Sequence, residues 1–355
     1  MAHRHRERPG LGAVMEGTVE FGTFVWVDAG DRPLHQLYDD HLRLAALADE
    51  LGFFAYHMAE HHNTPLGLAP SPSVFLAAVA RATERIRLGP LVYLLPLYRP
   101  QRLAEEVCML DHLSNGRLEL GVGRGVSPWE LGHNGVDAAT SRPLFLAALD
   151  QLLAALHGDG SAFGDLGGAP IEIRPLQQPH PPLSYATTVP ESVQWAAGHG
   201  MHMMGLGPST AWRSNVELYR QTWEAHRSDP DRFNGHVERP RIGLNRQVLV
   251  AETDAEALDL VRRVYPRFAS SFIHLWEVHG DDSFRHRIDL EKSLEHEVIL
   301  VGSPDSVRAM VERTVEQSGI DYLTCSFAWG SLTFDEAARS MELFACEVMP
   351  VFAAV

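Results

Sequence analysis

The sequence has little cysteine and no long hydrophobic run. Its three cysteines, Cys108, Cys325 and Cys346, form no CxxC pair, and their odd number argues against a disulfide framework. This usage fits a reducing cytoplasm, which is the location we expect. No run of about 18 apolar residues is present, so no segment is expected to span a membrane. Residues 1–17 lack the apolar core of a secretory signal and are expected to form a disordered arm.

The sequence also has fewer basic than acidic residues. The 355 residues include 46 Asp and Glu against 30 Lys and Arg, for a formal net charge of -16. Such an acidic chain lacks the electrostatic footprint of a nucleic-acid-binding protein, and anionic membranes would repel it. We therefore expect neither nucleic acid nor a membrane as a partner.

Several catalytic signatures are absent as well. The sequence has no serine-hydrolase elbow, no Walker loop and no HExxH zinc motif. The segment DAGDRP at 28–33 is not GxGxxG, which argues against a dinucleotide-binding sheet. Glu60, His61 and His62 resemble a ligand cluster, but neighbours in one loop rarely aim at the same ion and no further ligand is visible. We expect no metal site.

Strand-like and helix-like segments are present instead, and they alternate about eight times with no linker in mid-chain. This alternation predicts a parallel sheet, and its length favours a closed (β/α)8 TIM barrel over an open, doubly wound sheet. The strands are expected at 19–27, 53–58, 86–95, the first half of 117–130, 183–186, 201–204, 241–251 and 322–327.

Two segments interrupt the alternation and are expected to be insertions, in the connections that follow strands four and seven. Residues 158–182 are rich in Gly and Pro, and residues 268–298 are long, charged and weakly patterned. A connection of that length inside a domain is usually a lid or an insertion. We expect residues 18–355 to form one domain with a mobile lid at about 268–298, in which His286, Arg287 and Asp289 are candidates to close over the site.

Residues after strands four and five predict an anion site, because the loops after the strands form the active site of such a barrel. Strand four ends in glycines around Arg124. Glycine lets a ligand approach the backbone, and a guanidinium can fork onto a phosphate. Thr187, Thr188 and Ser192 follow strand five, where free N–H groups at a helix N-terminus favour the same charge. A tight turn with a solvated arginine, and hydroxyls that only cap a helix, remain open as the alternative.

Glu60 and His61 follow strand two and face the same mouth in this arrangement. A histidine there can act as a general base or a hydrogen-bond donor, since its unperturbed pKa lies near neutrality. The alternative is a surface histidine, and this chain has 19 of them.

Several segments together resemble the bacterial luciferase-like flavin monooxygenases, and the chain looks closest to the luciferase α subunit. The resemblance runs from about residue 19 to the C-terminus, and the block LDHLSNGR…GVGRG is its most specific part. The matching segments are FGTF (21–24), EHH (60–62), GPLVYLLP (89–96), EEVCMLDHLSNGRLELGVGRG (105–125), ESVQWAA (191–197), VGSPDS (301–306) and FACEVMP (344–350).

The resemblance implies a two-component monooxygenase in a (β/α)8 barrel. Reduced FMN would come from a separate flavin reductase and react with O2 to give a C4a-hydroperoxyflavin. One oxygen would then pass to a small organic substrate, by hydroxylation or by Baeyer–Villiger-type insertion. Within enzymes the alternative is an F420-dependent oxidoreductase of the same barrel. A non-catalytic flavin-binding subunit, like luciferase β, is the alternative from another class.

The resemblance also assigns roles to residues. Arg124, Thr188, the backbone N–H of Val189 and Ser192 fall on the phosphate-binding positions of the family. Leu91–Val92 falls where the family has a non-prolyl cis peptide beneath the flavin ring. His61 matches the catalytic histidine, and Glu60 beside it is the second catalytic candidate.

One departure from the family concerns the residue beside the flavin. Gly123 stands where luciferase has a reactive cysteine, so we expect Gly123 to open space there, to accommodate a different or bulkier substrate and to make light emission doubtful. The following loop carries Trp129, which points the same way. We also expect a homodimer formed through early helices. The candidate contact residues are Ala77, Ala78, Ala80 and Ala82.

Overall fold

Ten strands, all paired in parallel, carry the fold of the computed structural model, which describes residues 18–28, 32–160 and 169–352. The expected N-terminal arm, residues 1–17, lies outside this part of the chain. The strands are β1 (Glu20–Val25), β2 (Ala55–Met58), β3 (Arg87–Pro90), β4 (Tyr93–Leu94), β5 (Leu120–Gly123), β6 (Leu183–Ala186), β7 (His202–Gly205), β8 (Ile242–Val250), β9 (Ile299–Gly302) and β10 (Tyr322–Ser326).

The sheet closes on itself. Its hydrogen-bonded order is β3-β2-β1-β10-β8-β7-β6-β5-β4. β3 and β4 form one stave that is interrupted at Leu91–Val92, and a parallel bridge from Leu88 to Leu118 joins this stave to the start of the β5 stave. β9 pairs only with the outer end of β8. Eight staves therefore remain, and the expected (β/α)8 barrel is confirmed.

Helices follow the strands and cover the outside of the barrel. α3 illustrates the pattern, since Leu103, Val107 and Leu110 recur on one face and are buried against the sheet. In the described part of the chain, no helix has the length and apolar character needed to cross a membrane. The helices are α1 (Leu34–Glu50), α2 (Pro72–Ala82), α3 (Pro100–Leu113), α4 (Pro128–His133), α5 (Ser141–His157), α6 (Pro190–Gly198), α7 (Arg213–Ala225), α8 (Asp254–Val278), α9 (Leu290–Glu295), α10 (Pro304–Ser318) and α11 (Phe334–Leu343).

The segment after β8 differs from expectation. Helix α8 continues to Val278, so the first third of the expected lid is helical. Pro266 removes one backbone donor, but Phe268, Ile273 and Leu275 are buried and hold the helix against the barrel. The rest of the segment contains a 3-10 turn, α9 and the unexpected strand β9. The short helix α4 after β5 was not expected either.

The lower half of the barrel is filled by polar side chains. Glu119 is buried between the guanidinium groups of Arg87 and Arg241, with which it forms ion pairs. Above them, the hydroxyl of Tyr322 hydrogen-bonds to Nε2 of His57 at 2.8 Å. Because this end is closed by paired charges, a ligand has access only at the opposite end, where the strands terminate.

Candidate active site

The loop after β2 places two histidines at the mouth, each held by a buried carboxylate. Nδ1 of His61 lies 3.0 Å from Oε1 of Glu130. Nε2 of His62 lies 2.8 Å from Oε1 of Glu60. Glu60 is only 3% exposed, and its other oxygen accepts the backbone N–H of Leu94 at 3.0 Å. Glu60 is therefore engaged on both oxygens, whereas the ring of His61 has Nε2 left for other contacts.

Glu130 comes from α4, the helix that the sequence did not reveal. Ser127 begins this helix and its hydroxyl accepts the N–H of Glu130 at 3.2 Å. This cap turns the Glu130 side chain toward the β2 loop, where Oε1 also accepts the backbone N–H of His62 at 2.7 Å. Glu130 thus fixes both the ring of His61 and the backbone beside it.

The electrostatics of this cluster favour an ionised carboxylate. Burial alone would raise the pKa of Glu130, but its interaction with His61 and the hydrogen bonds from His61 and His62 lower it overall. The hydrogen bond to Glu60 raises the pKa of His62 and outweighs the effect of burial. A carboxylate can only accept, so Nδ1 of His61 carries the proton and Nε2 of the neutral ring can act as a base.

Two arginines and two serine hydroxyls meet on the side of the mouth formed by β5 and β6. Arg124 is exposed after β5, and its Nη1 donates to Oγ of Ser141 at 3.3 Å. Nη1 of Arg142, in the first turn of α5, donates to Oγ of Ser192 at 3.4 Å. Sequence reasoning missed Arg142, which carries no motif of its own. The hydroxyl of Ser141 already donates to the carbonyl of Ala138 at 2.8 Å. The two guanidinium groups and the hydroxyl of Ser192 are the donors that remain for a phosphate.

The turn between β6 and α6 holds the other expected anion ligands. Thr188 is exposed, and its carbonyl accepts from Nδ2 of Asn215 at 3.3 Å. The N–H of Val189 donates to Oγ1 of Thr187 at 3.1 Å. The expectation that this N–H serves a phosphate therefore requires that internal hydrogen bond to be exchanged, because the donor is not free.

The peptide bond Leu91–Val92 is cis, as the resemblance implied. Gly123 lies next to it, but the expectation that this glycine opens space is wrong. A Cβ placed on Gly123 would lie 2.4 Å from Cγ2 of Val92. The side chain of Val92 therefore fills the volume beside Gly123, and the glycine is needed for this close approach.

Aromatic rings form the opposite side of the mouth, where β1, β10 and α8 meet. The ring centroids of Phe24 and Trp26 are 4.8 Å apart. Phe268 of α8 lies 5.7 Å from Trp26 and 6.0 Å from Trp329, which follows β10. The mouth thus has a charged side and an apolar side.

The end of α8 is attached to α4 across the mouth. The rings of Trp129 and His279 stack with centroids 4.0 Å apart and an interplanar angle of 9°. His133 packs against the same imidazole at 5.5 Å. Among residues 18–28, 32–160 and 169–352, no three His, Cys, Asp or Glu side chains are placed to hold a metal ion.

Comparison with known proteins decides the family. The family model described as luciferase-like monooxygenase matches residues 19–322. The chain belongs to the luciferase-like monooxygenase family. It is therefore an enzyme of the monooxygenase class, as the resemblance implied.

Individual relatives span nearly the whole chain. The uncharacterised protein y4wF of Sinorhizobium fredii is 36% identical over 95% of this chain and 98% of its own. The oxygenase component of the flavin-dependent trigonelline monooxygenase of Acinetobacter baylyi is 26% identical over 94% of this chain and 96% of its own. The solved monooxygenase RslO1 of Streptomyces bottropensis has 29% identity and a TM-score of 0.82, and covers 94% of this chain and 100% of its own.

Proposed function

We propose that this monooxygenase is the oxygenase component of a two-component system, which uses reduced FMN from a separate reductase and O2 to oxygenate a small organic substrate. The observation that carries the proposal is the pairing of Arg124 and Arg142 with hydroxyls beside a mouth that also holds the His61–Glu130 pair. One relative is itself described as the oxygenase component of a flavin-dependent monooxygenase. When bound, reduced FMN would supply the activation of O2.

The residues fit such a cofactor by the chemistry of their donors. Arg124, Arg142, Ser192 and Thr188 would hold the phosphate, which is doubly charged and needs several donors. Gly123 and the Leu91–Val92 peptide would lie against the flat ring, where a side chain on residue 123 has no room.

In this proposal the protein's own groups position, shield and move a proton. Nε2 of His61 accepts or returns a proton at the reacting centre, and Glu130 orients the ring by accepting from Nδ1. Glu60 acts through His62 and the backbone of Leu94, which makes it a positioning residue. The aromatic side of the mouth excludes water from the reacting centre.

Rapid mixing of the protein and reduced FMN with oxygenated buffer tests the proposal. We expect a transient absorbance band that differs from both reduced and oxidised FMN. R124Q should lose it at FMN concentrations that saturate the wild type, whereas R102Q, which changes an exposed arginine, should keep it. Reoxidation at the rate of free FMN, together with tight binding of F420, would replace this proposal with an F420-dependent oxidoreductase.

We also propose a homodimer formed through α2 and α3. On these neighbouring helices Val74 is 73% exposed and Met109 is 55% exposed, which is unusual for large apolar side chains. Ala80, one of the expected contact residues, is buried in the protein's own core and cannot take part. Light scattering after gel filtration should give twice the mass of the chain, and V74E should shift it toward the monomer.

A further inference from the structure

Gln247 of β8 points into the mouth of the barrel. In the β8–β10 ladder Tyr322 pairs with Gly243 and Ser326 pairs with Gln247. Paired residues in a parallel ladder point to the same face. Tyr322 faces the barrel interior, because its hydroxyl reaches His57 on β2 beyond the intervening strand β1. Gln247 lies four residues further along β8 and therefore also faces inward, near the rim.

The side-chain amide of Gln247 is buried, and its NH2 group lacks a hydrogen-bond acceptor. The residue is 8% exposed, and Nε2 has no hydrogen-bond partner within the described part of the chain. The hydroxyls of Thr324 and Ser326 both donate to Oδ1 of Asn245 at 3.2 Å, and neither accepts from Nε2 of Gln247. Leaving a buried donor unpaired is costly, so such a group calls for an explanation. A ligand oxygen arriving in the mouth would satisfy it.

The side chains that stand level with this amide carry no charge. Phe24 follows Thr23, which pairs with Cys325, so Phe24 stands level with Ser326 and Gln247. On the neighbouring residue, the carbonyl of Val248 accepts the indole N–H of Trp329 at 3.4 Å. A charged ligand group on this side would be buried without a counter-ion, which is strongly unfavourable.

We propose that Gln247 recognises the substrate, and that the substrate is an uncharged, apolar ring compound carrying a carbonyl oxygen that the Gln247 amide binds. The proposal rests on the proposed function, because it places the substrate in the same mouth. The last torsion of a glutamine is soft, so the amide can turn its N–H toward the ligand without rebuilding the strand. Aromatic walls then hold the ring system, while one hydrogen bond fixes its orientation.

A matched pair of probes tests this assignment. 1-Tetralone and tetralin share one bicyclic skeleton and differ in the ketone oxygen. Titration against the wild-type protein, followed by tryptophan fluorescence, should show that 1-tetralone binds at least about 10-fold more tightly, because a site built for a hydrogen bond rejects the analogue that lacks the group. Q247M keeps the side-chain length without the amide and should bind both compounds equally. Q221L, on the exposed face of α7, should behave as the wild type.

A second measurement covers the case in which Q247M is poorly folded or binds weakly. The infrared carbonyl stretch of 1-tetralone bound to the wild-type protein should lie at lower frequency than in an apolar solvent, and a stretch at the solvent value would overturn the assignment. Equal binding of the two probes by the wild type, or a preference that survives in Q247M, would overturn the assignment. Flavin binding and the oxygen reaction are measured without these probes, so a failure of Gln247 and a failure of the proposed function can be told apart.

Discussion

Replacement of Glu130 by glutamine is expected to remove the negative charge that supports His61 as a base. In the wild type the carboxylate accepts from Nδ1, which leaves Nε2 as the basic nitrogen. Both N–H groups meet at the same oxygen, Oε1, so glutamine would place its carbonyl oxygen there and still accept from Nδ1 of His61 and from His62. The tautomer of the ring is then kept. The positive charge that the ring gains when Nε2 takes a proton, however, loses its counter-ion.

The cost in stability can be estimated from the same contacts. Glu130 accepts two hydrogen bonds while buried, and a bond to a charged group contributes about 1.5–3 kcal/mol against about 0.5–1.5 kcal/mol for a neutral one. E130Q should therefore lower the free energy of unfolding by about 2 kcal/mol. If His61 is the general base, turnover should fall by about 100-fold or more.

The dependence on pH has a defined sign. The pKa of Glu130 in the folded protein is lower than its ordinary value of 4.5, so its contribution is fully present above pH 4.5 and is lost as the pH falls through the folded pKa. The difference in unfolding free energy between wild type and E130Q should accordingly be constant near neutrality and shrink in acid.

Two assays check this prediction without a known substrate. Nitrogen-15 NMR of the imidazoles reports the tautomer of His61, and urea denaturation at several pH values reports stability. E224Q alters an exposed carboxylate and should change neither. A proton on Nε2 of His61 in the wild type, or an E130Q protein as stable as the wild type, would contradict this prediction.

Three further variants test other parts of the mouth. R142Q should weaken FMN binding by about 10- to 100-fold, as expected for a lost charge-assisted hydrogen bond. It should leave riboflavin binding unchanged, because riboflavin has no phosphate. An equal loss of affinity for both ligands would contradict a phosphate contact. G123A should lower the free energy of unfolding by about 1–3 kcal/mol through its clash with Val92, and V92A in the same chain should recover part of this loss in urea denaturation. H279A removes the ring stack on Trp129, which contributes about 0.5–1.5 kcal/mol. The variant should therefore be cleaved faster by proteases within residues 279–298. An unchanged cleavage rate would mean that the stack does not hold this segment.

The succession of strands in the barrel could be predicted because each strand has its own local sequence pattern. The strand expected at 183–186 has those bounds in the structure, since a short apolar run between turn residues specifies it. The end of α8 could not be placed as readily. The charged and weakly patterned residues 268–298 suggested an insertion, although Phe268 and Phe272 continue the helical spacing of Val261. Burial against the mouth outweighed the local signal, as tertiary context often does.

The active-site contacts were predictable only in part. The positions of His61 and Arg124 follow from the rule that loops after barrel strands form the site. The partner of His61 does not, because Glu130 lies 69 residues away and reaches it only through the cap of a six-residue helix. Helices this short leave almost no periodicity to detect. Arg142 was missed for a related reason, since one arginine in a helix carries no pattern.

Charged and uncharged groups lie on different strands of the mouth, which constrains how a flavin and a substrate could bind there together. Cations and hydroxyls follow β5 and β6, whereas Gln247 and the aromatic rings lie across the barrel on β8, β10 and β1. A ligand with a charged tail and a flat head would place the tail on the first side, where its charge is paired. Its head would then extend toward the cis peptide Leu91–Val92, next to His61 of the adjacent β2 loop. Phe24, Trp26 and the amide of Gln247 on the other side carry no charge, so a second anion bound beside them would lack a counter-ion.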